Sequence, residues 1–164
     1  MAKTVIKFTI PGEPFGKLNM RPTMINGHAS SYSPNKNNQY MDRIIQILNQ
    51  EMIFTEDYVF PKGTPVSVMI IAYFKIPDGE FKYYKREGIS RYTQTGQDML
   101  NGKIKPTKMP DADNISKAVC DGISHQGRVW YDDSQVCMEL IMKFYDSNPR
   151  VEVTIEELKY VDKN

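Results

Sequence analysis

Residues 65–76 read Pro-Val-Ser-Val-Met-Ile-Ile-Ala-Tyr-Phe-Lys-Ile, apolar at nearly every position. On an extended chain Val66, Val68 and Ile70 point to one side and Met69, Ile71 and Tyr73 to the other, so neither side favours water. A segment of this kind belongs in the middle of a sheet, and that requirement sets the class of fold. Residues 4–10 alternate Ile6, Phe8 and Ile10 against Val5, Lys7 and Thr9, a strand with one buried face. Residues 135–145 and Arg150–Glu157 flank Asp146, Ser147, Asn148 and Pro149 and read as a C-terminal β-hairpin. In residues 39–52, Tyr40, Met41, Ile44, Ile45, Leu48 and Met52 recur at helical spacing, a core-packing stripe. A second helix, over residues 113–123, carries Ile115, Ala118, Val119, Gly122 and Ile123 on one side. The expected fold is α+β: a small mixed sheet of about four strands with a C-terminal hairpin, packed by two main helices. A chain of 164 residues is expected to form one compact domain over residues 1–164.

Two stretches escape periodicity. Residues 11–38, rich in Pro, Gly, Asn and Ser, read as a long irregular connection. Residues 78–109 read as weakly structured, with a short helix near residues 80–87. This second stretch interleaves Lys82, Lys85, Arg86, Arg91, Lys103, Lys105 and Lys108 with Phe81, Tyr83, Tyr84 and Tyr92. Cations among aromatics suit phosphate contact and base stacking, although the same composition serves a merely soluble loop. Lys17 and Arg21 are further phosphate-contact candidates.

The net charge of +1 conceals an asymmetry. Residues 1–50 hold 6 Lys/Arg against 2 Asp/Glu and residues 79–109 hold 7 against 3, whereas residues 110–164 hold 6 against 11. Basic flanks around an acidic centre attract a polyanion while keeping a place for a cation. No apolar stretch approaches the length of a membrane span, and the N-terminus lacks a signal-peptide core, so a cytoplasmic protein without membrane partners is expected. Cys120 and Cys137 have no metal-ligand spacing and are expected to be buried, reduced thiols.

The acidic centre is concentrated. Asp111, Asp113 and Asp121 with Lys117 are followed closely by Asp132 and Asp133. Gathered carboxylates repel one another unless a cation neutralises them, and oxygen ligands without Cys or His suit Mg²⁺, with Mn²⁺ as the other option. On the helix over residues 113–123, Asp113, Lys117 and Asp121 recur every four residues opposite the apolar stripe. One lysine among acids points to an anionic substrate, and a phosphodiester is the simplest. The plain alternative is an N-cap at Asp111 and a solvated row of i,i+4 pairs. An EF-hand fails because Ile115, Ser116 and Gly122 occupy positions that need an oxygen ligand, Gly and Glu. An aspartyl-phosphate phosphatase fails because the polar run before Asp111, with two prolines, is no buried strand. A sugar-nucleotide transferase needs a glycine pattern that the chain lacks.

The block Asp111-x-Asp113-Asn114-x-x-Lys117-x-x-x-Asp121, followed by Asp132, Asp133, Ser134, Gln135 and Val136, resembles the RusA family of Holliday junction resolvases. Weaker agreement lies in Gly12, Glu13 and Pro14 with Lys17, in Arg21 and Pro22, and in the strand after Asn148. The resemblance implies a small homodimeric, Mg²⁺-dependent endonuclease of prophage type that nicks four-way DNA junctions in recombination and repair. It implies that Asp111, Asp113 and Asp133 are the metal-binding catalytic acids and that Lys117 is catalytically essential. The connection before the acidic pair is about one residue longer than the family pattern, which keeps Asp132 open as the ligand. Asn114 and Asp121 are expected in supporting roles, the latter as a partner for Lys117. A non-catalytic DNA-binding protein and a nuclease for another branched DNA are the alternative classes.

Overall fold

The computed structural model describes residues 4–52 and 57–159. Its centre is a four-stranded mixed sheet in the order β1-β8-β4-β7, built from β1 (Val5–Pro11), β4 (Val66–Lys75), β7 (Val136–Asp146) and β8 (Arg150–Glu157). As the two-sided apolar run requires, β4 is an inner strand, parallel to β7 and antiparallel to β8. The two strands of the C-terminal hairpin run antiparallel through the turn at Ser147 and Asn148. They do not pair with each other, because β4 lies between them and each bonds to it.

One face of the sheet carries Ile6, Phe8, Ile10, Val66, Val68, Ile70, Ala72, Phe74, Val151, Val153 and Ile155, all buried. Two helices cover it: α1 (Asn35–Glu51), through Tyr40, Ile44 and Leu48, and α3 (Ala112–Gln126), through Ile115, Ala118, Val119, Gly122 and Ile123. The helices approach closely at Gly122, where an added Cβ would sit 2.6 Å from the Ile44 Cδ1. Helix α3 ends at Gly127, whose φ of 75° is a left-handed stop that glycine adopts without steric cost.

The two irregular stretches are more ordered than their composition predicts. The first contains an antiparallel hairpin, β2 (Arg21–Ile25) and β3 (His28–Tyr32), and α1 begins four residues before its expected start. The second contains no helix over residues 80–87. A single 3-10 turn, Asp78–Glu80, leads into the hairpin β5 (Phe81–Tyr84) and β6 (Ile89–Tyr92), held by Phe81 against Tyr92 and Arg91 over the Tyr84 ring. A short helix α2 (Gln94–Leu100) follows, with the Thr93 hydroxyl accepting the Gly96 N–H at 3.1 Å. Cys137 is exposed rather than buried, because it is the extra residue at a β-bulge where β7 skips one partner on β4. Cys120 is half-buried and both thiols are free. Among the described residues, no helix is long and apolar enough to cross a membrane.

Candidate nuclease site

Helix α3 carries the acidic row. Asp111 occupies its N-cap position, yet the Asp111 carboxylate caps no backbone N–H. The helix entrance is fixed from outside instead: Lys143 on β7 donates to the carbonyls of Lys108 at 2.7 Å and Pro110 at 2.9 Å. The loop before β2 also presses on it. Lys17 N–H donates to the Asn114 carbonyl at 2.8 Å, and a Cβ on Gly16 would lie 2.4 Å from the Pro110 Cβ. Only glycine lets the loop come this near.

One turn along, Lys117 donates to Asp113 at 2.9 Å, with both side chains well exposed. That hydrogen bond holds the Asp113 carboxyl below the ordinary carboxylate range. A second turn brings Asp121, whose partner is not Lys117 but Lys17, at 2.5 Å. Lys17 therefore enters the site as the counter-ion of Asp121.

The acidic pair arrives from another direction. Trp130 is buried and donates its indole N–H to Ser124 on α3 at 3.0 Å, bringing the chain alongside the helix. Tyr131 stays about half exposed, edge-on to Tyr58 and under Lys62. A 3-10 turn, Asp133–Gln135, follows, and the two acids then diverge in use. Asp132 accepts the Ser134 N–H at 2.9 Å, and hydrogen bonding to Ser134, through its side chain first and its backbone second, lowers the Asp132 pKa. Asp133 makes no such cap, and its charge reaches the Cys120 thiol on α3. Burial pushes that thiol up to about 12, and the nearby charges of Glu139, Asp121 and Asp133 add to the effect.

Gln135 holds this corner. Buried, it accepts the N–H groups of Tyr131 at 2.9 Å and Asp132 at 3.1 Å through Oε1. Its Nε2 donates to the carbonyls of Pro61 and Thr64, both at 2.9 Å, and more weakly to Phe60. Gln135 and Lys143 are positioning residues that the sequence did not reveal, since the carbonyls to which they donate lie 33 to 75 residues away along the chain. Glu139 was likewise not anticipated in the acidic surroundings of α3.

The basic candidates separate. Lys82, Lys85 and Arg86 stand exposed on the β5–β6 hairpin. Lys103 is paired with Asp98 at 3.1 Å, Lys105 lies 3.5 Å over the Phe144 ring, and Lys108 lies 6.0 Å from the Tyr145 ring centre. Arg21 opens β2, exposed.

No three His, Cys, Asp or Glu side chains among the described residues converge closely enough to enclose an ion. Mg²⁺ does not need such a cage. It keeps several waters and takes one or two carboxylates together with substrate phosphate oxygens. Asp111, without a cap to serve, and Asp113, charged and exposed, form a sparse oxygen set of that type.

Comparison with known proteins bears on the family of the chain. The family model described as endodeoxyribonuclease RusA matches residues 11–156. An uncharacterised protein of Bacillus subtilis (strain 168), YqaN, is 31% identical over 156 residues, covering 93% of this chain and 96% of that protein. The chain belongs to the RusA endodeoxyribonuclease family.

Proposed function

We propose that this protein is a Mg²⁺-dependent resolvase of four-way DNA junctions, acting in recombination and repair as one domain over residues 1–164. The observation that carries the reading is the row along α3. An acid at the N-cap caps nothing, a lysine one turn after Asp113 pairs with it, and Asp133 of the neighbouring corner lies near the same helix at Cys120. A helix stabilised only by capping and solvated pairs would use its N-cap acid; this one leaves it to solvent and ligand.

Asp111, Asp113 and Asp133 would hold the metal, Mn²⁺ being the other ion such oxygens accept, with Asp132 the alternative to Asp133. Asp133 is preferred because Asp132 is engaged with Ser134. The ion, when bound, polarises the phosphate and lowers the pKa of the attacking water. The chain supplies the remainder. Asp111 and Asp113 sit at the positive end of the helix dipole, which stabilises their charge without consuming their oxygens. Lys117 leaves or shares Asp113 as the phosphate arrives and neutralises charge developing on it. Lys17 holds Asp121 away from the incoming anion. Asn114 and Asp121 support the row, Asn114 through its carbonyl bond to Lys17 N–H. Arg21, Lys82, Lys85 and Arg86 are the DNA contacts, with Lys103, Lys105 and Lys108 joining them if their partners yield. A four-way junction needs nicks on opposite strands related by a dyad, so one acidic row per chain implies a homodimer.

Incubation of a supercoiled cruciform plasmid with Mg²⁺, beside flap and linear duplex DNA, tests the proposal. Linearisation of the cruciform alone is the expected result. Binding without cutting would make the protein a junction-binding module, and preferential flap cleavage would make it a nuclease for another branch. Asp113→Asn should abolish cutting while leaving the gel shift of a junction intact.

A further inference from the structure

The β2–β3 hairpin is not explained by packing. Nine of its ten strand residues are exposed and Thr23 is half-buried. A two-stranded hairpin is marginal by itself in water, so an exposed one needs anchoring and a purpose. The anchor is Asn37, a buried residue on α1 that bonds both legs. It accepts Leu18 N–H and donates to the Leu18 carbonyl, each at 2.9 Å, and donates to Ser33 Oγ at 3.0 Å. Immediately before Leu18, Lys17 is bonded to Asn114 and paired with Asp121 on α3. The hairpin thus rises directly from the acidic row, and five strand residues carry its tip about 16 Å outward.

Its composition is selective. No Asp or Glu occurs between Glu13 and Asp42, while Lys17, Arg21 and Lys36 do. Cross-strand partners share a face, so Arg21 with Tyr32, Thr23 with Ser30, and Ile25 with His28 form one side. That side offers a cation, hydroxyls and rings to phosphates. The other side pairs Pro22 with Ser31 and Met24 with Ala29. The Asn26–Gly27 turn closes the tip, and the residues before it, Met24 and Ile25, are 65% and 57% exposed and point to opposite sides. An apolar tip on both faces of a narrow, acid-free ribbon has the form of a wedge. Apolar side chains inserted between base steps unstack them, and a ribbon of two strands is narrow enough for a DNA groove.

We propose that the β2–β3 hairpin is a DNA arm whose tip, Met24 and Ile25, enters the branch point of a four-way junction and separates stacked bases there. This rests on the junction-nuclease reading above. Opening the branch frees the strand that crosses α3, so the arm acts on selectivity for branched DNA and leaves the chemistry to the acids.

The test places 2-aminopurine at the branch of a fixed junction, with Ca²⁺ replacing Mg²⁺ to hold the uncut complex. Wild-type protein should raise the fluorescence, and M24S/I25S should leave it at the level of free DNA with an unchanged melting temperature. In Mg²⁺ the variant should cut the intact junction slower by on the order of tenfold, and recover to within about twofold on a junction with unpaired bases at the branch. Wild-type cutting without a fluorescence rise, or a variant equal to wild type in both assays, overturns the wedge and leaves the nuclease reading standing. A variant that sediments as a monomer where wild type is a dimer overturns it in favour of a dimerisation arm. Failure of the wild type to cut any junction overturns the nuclease reading and the wedge together.

Discussion

Replacing Gln135 by Ala removes one side chain and, with it, the framework of the acidic corner. Four of its hydrogen bonds measure 2.9–3.1 Å: two N–H groups accepted and two carbonyls served. Each such bond contributes a net 0.5–1.5 kcal/mol, and a buried group left without a partner costs roughly 1–3 kcal/mol. Water entering the space left by the amide recovers part, so the expected loss is about 3 kcal/mol. For a chain of this size that lowers the melting temperature by roughly 6–12 °C. Gln135→Glu separates hydrogen bonding from shape. A carboxylate retains the two accepted bonds but faces the carbonyls of Phe60, Pro61 and Thr64 with no proton to give. Burial and those carbonyls raise its folded-state pKa above the unfolded value. A raised folded pKa contributes stability at low pH that is lost as pH rises, so this variant should gain on wild type as pH falls towards 4. Urea denaturation at pH 7.5 and pH 5 measures both effects. A Gln135→Ala protein within about 1 kcal/mol of wild type, or a Glu variant indifferent to pH, would refute the clamp.

Asp133→Asn should be inactive in cruciform cleavage and Asp132→Asn only impaired, since the second carboxylate is engaged with Ser134; the reverse ranking reassigns the ligand. Lys117→Met should slow single-turnover cleavage by on the order of 10²–10³-fold, although the pair it breaks is exposed and contributes little to folding. In the same variant the Asp113 carboxyl should titrate nearer the ordinary Asp range. In the wild type its folded pKa is depressed, so any stability it contributes is present at neutral pH and lost as pH falls through that pKa; NMR titration should show the midpoint moving up in the variant. Gly122→Ala should destabilise despite a helix-propensity gain near 1 kcal/mol, because its Cβ meets the Cβ of Ile44 at 2.9 Å and overpacking of this kind costs roughly 1–3 kcal/mol. Iodoacetamide at pH 8 should modify Cys137 in the native protein and Cys120 only after unfolding, because Cys120 is held protonated by burial and nearby acids.

What could be read from the chain divides by the range of the interaction. The inner strand was legible because both faces of residues 66–75 are apolar, and the site helix because two patterns of one period coincide on it. The hairpins at residues 21–32 and 81–92 were not, since their strands are exposed on both faces and leave no burial alternation to detect. One local signal was present: Asn26–Gly27, with φ of 50° and 78°, is the dipeptide a tight hairpin favours. The insertion of β4 between β7 and β8 leaves no such local mark. Each strand alone looks fit to pair with its neighbour, and only the full sheet decides otherwise. The site repeats this division. Carboxylates and a lysine are recognisable by type, because a cation and a phosphate demand them. Which lysine neutralises which acid depends on the folded path. Asp121 has Lys117 one turn away on its own helix, yet its partner is Lys17, delivered by a glycine that allows the loop to touch Pro110. That exchange leaves Lys117 shared with Asp113 alone, so one lysine is fixed as a brace while the other, on an exposed and weak pair, stays available to an incoming phosphate.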